Sequence, residues 1–355
     1  MNINDFWKIR QNILSTRKVL DLSLINPDLQ VPKKVLDLAS KTLIEIGINR
    51  YPTAKGNKKA LAKILEYWNA LSGIIYSEDE ICLSSGTKDS LASFFKVKAL
   101  PGQGVWTQEP TYPMYNLISK SFGLKLNQTS PDFLVLSAPN NPSGKFLSNN
   151  ELQQIEAYIR NNQNIWIFFD AVYAPFFPET LELLKHLRGL THNLIVSFSF
   201  SKAFSMAGVR LGSLFGPMDA IDQIVKAKSR LDYGVDLFSS ICAWAMLDLA
   251  DDFANYACEV YSRRYELAKK LLGHYITSEP GLPFIWLDLG ALDSHKIFDE
   301  LVLKRILVLP GAIFGDRYKT CLRVSLTAPD TELLVAFKSL AAILENNFSA
   351  QAINF

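Results

Sequence analysis

The 355-residue sequence has few of the residues from which metal centres and disulfide frameworks are built. It contains four cysteines and four histidines. The cysteines show no metal-ligand spacing and are typical of buried thiols in a reducing compartment. We therefore predict neither a metal site nor a disulfide scaffold. The cysteines are Cys82, Cys242, Cys258 and Cys321.

An excess of charge of one sign is also missing. The 37 Lys and Arg residues nearly balance the 35 Asp and Glu residues, which leaves a net charge of +2 and no electrostatic case for nucleic acid binding. Residues 1–23 lack the uninterrupted apolar core of a signal peptide. The apolar runs, such as IWIFF, are too short to span a bilayer. We expect a soluble cytoplasmic protein without nucleic acid or membrane partners.

Hydrophobic residues make up 48% of the chain, and in its middle part short apolar runs alternate with segments of helical periodicity. Strands buried on both faces that alternate with helices predict an α/β fold, with a mostly parallel sheet of the seven-stranded type and helices on both faces. We predict this large domain over residues 36–261. A smaller α+β domain is expected from residues 1–35 and 262–355 together.

Each predicted strand of the large domain ends in polar residues. The ends read SSGTK, EPTYPMY, PNNPSG, DAVY and SFSK along the chain. Because ligands bind at the carboxyl ends of strands in open α/β sheets, we expect these five groups to converge on one crevice.

Lys202 stands among small and apolar residues in SFSFSKAFSMAGVRLG, residues 197–212. An amine in an apolar setting has a lowered pKa and forms a Schiff base with an aldehyde. A lone lysine is more often a structural or snorkelling residue, so the hypothesis depends on its neighbours.

Asp170 ends an apolar strand and needs a buried partner, for which a protonated pyridine nitrogen is suitable. A helix N-cap is its ordinary alternative role. Tyr173, three residues later, is placed to aim its hydroxyl at the phenolic oxygen of the same ring, although an ordinary half-buried tyrosine is the default.

The SSGTK segment lies between a strand and a helix, where backbone N–H groups and hydroxyls favour a phosphate; simple helix capping is the alternative. Ser199 and Arg210 flank Lys202 and are placed to close such a phosphate site from the other side. Tyr112 follows a strand end and is a candidate to stack on an aromatic ring. Asn141 is a turn residue first, and its amide is also a candidate donor to a ring oxygen. Arg323, in a strand of the smaller unit, requires a carboxylate from the protein or from a substrate.

Taken together, the ordered motifs RYPTAKG, SGTK, PTYPMY, PNNPSG, DAVY, SFSKAFSMAGVRLG and LRVSL resemble the class I/II aminotransferases that use pyridoxal 5'-phosphate and adopt fold type I. The similarity spans nearly the whole chain. It implies transamination between an amino acid and a 2-oxo acid.

The resemblance also implies residue roles. Lys202 is expected to hold the cofactor as a Schiff base and then to shuttle a proton, while Asp170 pairs with the pyridine nitrogen. Tyr51 is expected to cross a homodimer interface to the neighbour's phosphate. The remaining expected roles are phosphate binding by Gly86, Thr87, Lys88, Ser199 and Arg210, ring stacking by Tyr112, contact with the phenolic oxygen by Asn141 and by Tyr173, which is also expected to be catalytic, and binding of the substrate α-carboxylate by Arg323. Asn141, Ile25 and Asn26 are further residues expected to bind the substrate.

The sequence departs from the family near its N-terminus. The family often has a glycine in a GEPD-like loop over the substrate, whereas this chain has Ile25 and Asn26 in LINPDLQVP, so we expect a narrower or altered substrate pocket. Decarboxylation, elimination, cyclisation or oxidation on the same cofactor is the first alternative, and a non-catalytic regulator on the same fold is the second. A nucleotide-binding Rossmann protein is disfavoured because no G-x-G-x-x-G follows a strand. Residues that could also line the pocket, with surface or core packing as the default, are Phe6, Trp7, Tyr115, Tyr233 and Asp236.

Overall fold

The computed structural model describes residues 3–49 and 51–353, and this part of the chain forms twelve β-strands and twelve α-helices. The predicted domain limits at residues 1 and 355 lie outside it. The strands are β1 (Leu20–Asp21), β2 (Ile81–Ser84), β3 (Gly104–Thr107), β4 (Lys125–Leu126), β5 (Phe133–Ser137), β6 (Trp166–Asp170), β7 (Leu194–Ser199), β8 (Gly212–Phe215), β9 (Phe284–Asp288), β10 (Ile306–Leu307), β11 (Leu309–Pro310) and β12 (Cys321–Ser325). The helices are α1 (Ile3–Thr16), α2 (Lys33–Ile46), α3 (Lys58–Ser72), α4 (Thr87–Lys98), α5 (Pro113–Ser121), α6 (Asn149–Asn161), α7 (Pro178–Leu190), α8 (Met218–Leu231), α9 (Leu237–Met246), α10 (Ala250–Leu272), α11 (Ser294–Leu303) and α12 (Asp330–Ile353).

The largest sheet within the described residues has seven strands in the order β2-β8-β7-β6-β5-β3-β4. Its strands are parallel except β8, which runs antiparallel to both β7 and β2. This order confirms the predicted α/β fold with a mostly parallel sheet. Since the other six strands share one direction, their carboxyl ends meet at one edge of the sheet.

Side chains on both faces of this sheet are buried, which explains why its strands are continuously apolar. Along β5, Phe133 and Val135 face a cluster that includes residues of α4, α5 and α8. The alternate residues, Leu134 and Leu136, face the second and larger cluster, which α3, α6, α7 and α10 cover. The period of two along one strand therefore supplies apolar surface to two layers of helices.

The N-terminal segment packs against the C-terminal part of the chain. Strand β1 pairs in parallel with β10, with Leu20 opposite Ile306, and the ring of Phe6 lies 6.0 Å from that of Phe298. Strands β11, β12 and β9 form a separate antiparallel sheet. The division into two domains with the stated limits stays a prediction. Within the residues described, no helix combines the length and the apolar character needed to cross a membrane.

Arg264 on α10 ties the N-terminal segment to the C-terminal one. Its Nη1 and Nη2 each donate to a carboxylate oxygen of Asp28 at 2.7 Å, and its Nε donates to Asp330 at 2.9 Å. Its Nη1 also donates to the carbonyl of Leu326 at 2.8 Å. The side chain is only 5% exposed, so the guanidinium depends on these acceptors for its solvation.

We expect Arg264→Met to lower the free energy of unfolding by about 3 kcal/mol, because it leaves Asp28 and Asp330 without their buried partner. The adjacent Arg263 also binds Asp330 but is 63% exposed, so the matched Arg263→Met is expected to cost less than about 1 kcal/mol. Urea unfolding of the two variants beside the parent protein measures the difference. Equal losses in the two variants would contradict the anchoring role of Arg264.

Candidate active site

The carboxyl ends of β2, β3, β5, β6 and β7 open on a cavity of about 450 Å³. This volume is in the usual range of small-molecule sites, about 300–1,000 Å³. The cavity brings together most of the residues predicted from the sequence to form a site. Those that line it are Ile25, Asn26, Thr87, Lys88, Tyr112, Asn141, Asp170, Tyr173, Ser199, Lys202, Arg210 and Arg323.

One end of the cavity is suited to an anion. Gly86 is the N-cap of α4 with φ of 89°, and Lys88 follows in the first turn. The Nη2 of Arg210 donates to the carbonyl of Ser85 at 3.1 Å, which holds its guanidinium against this helix N-terminus. Backbone N–H groups, an ammonium and a guanidinium thus point to the same place. Gly86 lies next to the wall, and a Cβ there would meet Arg210 Nη2 at 3.2 Å.

Two backbone features allow this close packing. Arg210 adopts φ of 57°, in the left-handed region that non-glycine residues rarely occupy. Such backbone strain clusters at ligand sites. At Gly212, a Cβ would lie 2.7 Å from the carbonyl oxygen of Phe198 and 3.1 Å from the Cα of Gly86, so only glycine lets β8 approach the α4 loop here.

Asp170 is buried in the middle of the cavity and accepts three hydrogen bonds. Tyr115 Oη donates to Oδ2 at 2.6 Å, and Oδ1 accepts from Val172 N at 3.2 Å and from Thr87 Oγ1 at 3.3 Å. Burial raises the pKa of Asp170 to about 6, although these hydrogen bonds lower it. The carboxylate is therefore fixed in position but lacks a cationic hydrogen-bond partner among the described residues.

The Lys202 amine lies close to the N-terminal segment, and its Nζ donates to the carbonyl of Ile25 at 2.5 Å. Burial lowers the pKa of Lys202 to about 7, and the positive charges of Arg323 and Arg210 act in the same direction. A substantial fraction of the amine is thus unprotonated near neutral pH, and the unprotonated amine is the form that attacks an aldehyde.

Three tyrosines surround the middle of the cavity. Tyr112 meets Tyr115 edge to face at a ring distance of 5.4 Å. Tyr173 is almost fully buried, and its ring lies 6.0 Å from that of Phe284. These rings provide flat apolar walls on which an aromatic ligand can stack.

Arg323 marks the other end of the cavity. Its Nη1 donates to the Asn141 side-chain oxygen at 2.9 Å and its Nη2 to the carbonyl of Ser23 at 2.8 Å, while its buried Nε has no partner among the described residues. Burial lowers the pKa of Arg323 to about 10. No carboxylate neutralises this guanidinium among the described residues, so it remains available for a carboxylate ligand.

The other residues named from the sequence lie partly in the cavity wall and partly outside it. Ser199 lines the cavity, and its hydroxyl donates to that of Ser201 at 3.2 Å. Tyr51 lies outside the cavity on the surface, 90% exposed, with its ring 5.7 Å from that of Tyr233. Asp236 caps α9 through the Ser239 N–H. Of the two N-terminal aromatics, Trp7 lines the cavity and Phe6 is buried in the core.

Three further residues contribute to the site. The sequence analysis did not name Ser201 or Lys228, and it gave Tyr115 core packing as its default role. Tyr115 holds Asp170, Ser201 lines the cavity beside Ser199, and Lys228 on α8 supports the anion end. The buried Lys228 Nζ donates to Asp89 at 2.9 Å, and Asp89 accepts from Ser85 N at 2.8 Å. The spacing of Tyr115, three residues after Tyr112 at the start of a helix, could have indicated that both rings face the site. The contact between Lys228 and Asp89 spans 139 positions and has no local signature in the sequence.

The donor set fits pyridoxal phosphate. The end at Gly86, Lys88 and Arg210 is suitable for its phosphate, and the buried Asp170 lacks the cationic partner that a protonated pyridine would provide. Lys202 carries an amine with a lowered pKa on the same wall. Each chemical feature of the cofactor thus has a complementary group in the cavity.

Comparison with known proteins agrees with this fit. The family profile described as "Aminotransferase class I and II" matches residues 17–132 and 124–340. The chain is 25% identical to an LL-diaminopimelate aminotransferase from Dehalococcoides mccartyi over 97% of its own length and 95% of the relative's. It is 24% identical to an aspartate aminotransferase from Pyrococcus horikoshii, over 92% and 91% of the two chains.

A solved structure of an aminotransferase from Staphylococcus aureus has the same fold. It superposes with a TM-score of 0.82 at 22% identity and covers 93% of this chain and 95% of the other. The fold and the profile agree with the resemblance read from the motifs. The chain therefore belongs to the class I and II aminotransferases, a family of enzymes that transfer amino groups with pyridoxal phosphate.

Proposed function

We propose that Lys202, Asp170 and Arg323 are the central residues of a transamination site that moves the amino group of an amino acid to a 2-oxo acid. The observation that carries this proposal is their placement in one cavity, with an amine of pKa about 7, a buried carboxylate of pKa about 6 and a guanidinium to which the described residues bring no carboxylate partner. Bound pyridoxal phosphate supplies an electron sink that acidifies the Cα–H of an attached amino acid.

Lys202 has two tasks in this proposal. Its neutral amine holds the cofactor's aldehyde in the resting enzyme. When a substrate amine takes that place, the freed Nζ would accept the proton from the substrate Cα as a general base and deliver it, as a general acid, to the former aldehyde carbon of the cofactor. A pKa near 7 suits both directions of this transfer at neutral pH.

The other residues position the ligands. Asp170, held by Tyr115, pairs with the pyridine nitrogen and keeps it protonated. Tyr112 stacks on the ring, and Tyr173 and Asn141 contact the phenolic oxygen. Arg323 binds the substrate α-carboxylate at the end of the cavity opposite the anion end. Phosphate binding is assigned to Gly86 through its backbone and to Thr87, Lys88, Ser199 and Arg210.

A homodimer is part of the proposal, with Tyr51 binding the neighbour's phosphate. An apolar band crosses the surface where α2 packs against α9, and its exposed members are Ile44, Ile48, Tyr51, Tyr233 and Phe238. A second copy is the occupant that would cover this band and complete the phosphate site, where Lys88 and Arg210 are exposed in the single chain. We further propose a cytoplasmic location, which suits the four free cysteines.

Transfer itself is tested by mixing the enzyme with 2-oxoglutarate or pyruvate and a panel of amino donors that includes aspartate and LL-diaminopimelate. We expect amino-group exchange with at least one donor and its loss in Lys202→Ala, which removes the amine. The same variant is expected to lose the covalent adduct that borohydride traps in the parent enzyme. Release of carbon dioxide, ammonia or peroxide without an oxo-acid acceptor would contradict transamination and favour another reaction on the same cofactor.

Tyr115→Phe is expected to move the acidic limit of cofactor binding to higher pH. The Tyr115 hydrogen bond lowers the pKa of Asp170, so its removal raises that pKa. Pairing with a protonated pyridine needs the carboxylate form, so affinity then declines at a pH about one unit higher than in the parent enzyme. Titration of cofactor affinity against pH measures the shift. Tyr112→Phe leaves the Asp170 hydrogen bond in place, and an equal shift in that control would contradict the role of Tyr115.

Mixed dimers test the position of Tyr51. Tyr51→Ala is expected to weaken cofactor binding at least about tenfold, as loss of a hydrogen bond to a charged phosphate does. Subunits of Tyr51→Ala and Lys202→Ala that are unfolded and refolded together should recover activity above the sum of the separate variants, because one site of each mixed dimer then has both residues. No recovery in dimers shown to be mixed would place Tyr51 outside the neighbour's site.

A further inference from the structure

The cavity has two chemically different ends. Lys88 and Arg210 stand at the N-terminus of α4, and Arg323 stands at the far end, where the carbonyl of Ser23 and the side chain of Asn141 hold it. If Arg323 binds the α-carboxylate, the substrate side chain contacts the part of the cavity wall near Arg323 and residues 23–26.

That part of the wall is mainly apolar, and Asn26 is a polar side chain on it. Leu24 and Ile25 directly follow Ser23, whose carbonyl binds Arg323, and Ile25 is buried. Leu309 pairs with Arg323 across the β11–β12 ladder, and directly opposed residues project to the same face of a sheet. Ile3 and Trp7 of α1 contribute the remaining apolar surface.

Every charged side chain that the described residues bring to the cavity already has a task. These side chains are Lys88, Asp170, Lys202, Arg210 and Arg323. The proposed function assigns the first four to the cofactor and the last to the α-carboxylate. A charge at the end of a substrate side chain would lose its hydration without gaining a partner from the described residues of this chain, which is costly.

We propose that the enzyme takes amino acids with uncharged, apolar side chains, and that Ile25 is a residue that sets their size. The proposal rests on the proposed function, since it takes Arg323 as the site of the α-carboxylate. Ile25 stands where the family often has glycine, so its side chain occupies space that a glycine would leave to the substrate. Its carbonyl also accepts the Lys202 hydrogen bond, which places the residue beside the reacting amine.

Binding of acids without an amino group tests the ligand class independently of turnover. Pentanoate, glutarate and 5-aminopentanoate share a five-carbon chain and differ in the distal group, which is a methyl, a carboxylate or an ammonium. We expect pentanoate to bind the cofactor-loaded enzyme at least tenfold more tightly than the other two, as measured by the change in cofactor absorbance on titration. Equal or tighter binding of either charged acid would overturn the proposal, for example because a second copy supplies a counter-charge.

The role of Ile25 is tested by the ratio of the affinities for 4-phenylbutanoate and pentanoate. Ile25→Gly is expected to raise this ratio about tenfold, while the matched Ile25→Val should change it less than threefold. Ile25→Ala serves in its place if the glycine variant does not fold, with the same direction expected. An unchanged ratio in the glycine or alanine variant would remove Ile25 as the size-setting residue.

The two proposals fail in different ways. If no donor exchanges its amino group but pentanoate still binds preferentially, transamination is wrong while the apolar ligand class stands. If exchange proceeds best with a charged donor, transamination stands and the apolar class is overturned. If none of the three acids binds saturably, Arg323 does not hold a carboxylate and the apolar proposal is overturned as well.

Discussion

Excess positive charge inside one cavity is the constraint on which the site depends. Lys88, Lys202, Arg210 and Arg323 line it, and Asp170 is the one carboxylate that the described residues place in its wall. Repulsion among the cations, added to burial, lowers the pKa of Lys202 to about 7. Anionic ligands remove this repulsion at both ends, because a phosphate lies at Arg210 and a carboxylate at Arg323 in the proposed complex. The same charge pattern thus attracts the ligands and keeps the amine reactive.

The segment from Ser23 to Asp28 contacts both Arg323 and Lys202. The carbonyl of Ser23 holds Arg323, the carbonyl of Ile25 holds Lys202, and the carboxylate of Asp28 is fixed by Arg264. One short stretch of backbone therefore positions both the Arg323 guanidinium and the Lys202 amine. Its anchor at Arg264 lies on a helix of the C-terminal part, so the geometry of the site depends on the packing of the two chain ends against each other.

The sequence was sufficient to predict the fold and most of the cavity wall, for physical reasons. Alternation of buried strands and helices predicts a parallel sheet, and a parallel sheet necessarily gathers its strand ends at one edge. Asp170 could be named because it ends β6, and Lys202 and Asn141 because they lie three and four residues beyond the ends of β7 and β5. The proposed chemistry of these residues still awaits the experiments above, since position alone does not establish a role.

What the sequence did not show depends on contacts between distant residues. Tyr115 reads as a core aromatic until its hydroxyl is seen 2.6 Å from Asp170, across 55 positions. The bond between Lys228 and Asp89 and the one between Arg264 and Asp28 span 139 and 236 positions, and no local pattern predicts either. The left-handed backbone of Arg210 is equally invisible, because an arginine gives no signal for positive φ.

The two ends of the cavity also differ in how freely their residues can be substituted without disturbing the fold. The cofactor end is made of strand ends, a helix N-terminus and glycines whose substitution would bring backbone atoms into collision, as at Gly212. The proposed substrate end is made of side chains of the segment from Ser23 to Asp28, of α1 and of the two-residue strand β11, where replacing one apolar group by another alters shape without moving the sheet. The isoleucine at position 25, where the resemblance leads us to expect a glycine, is of the second kind. We therefore expect cofactor chemistry to be retained in a chain whose relatives are only about one quarter identical, and in our proposal the segment from Ser23 to Asp28 sets the size and polarity of the substrate pocket.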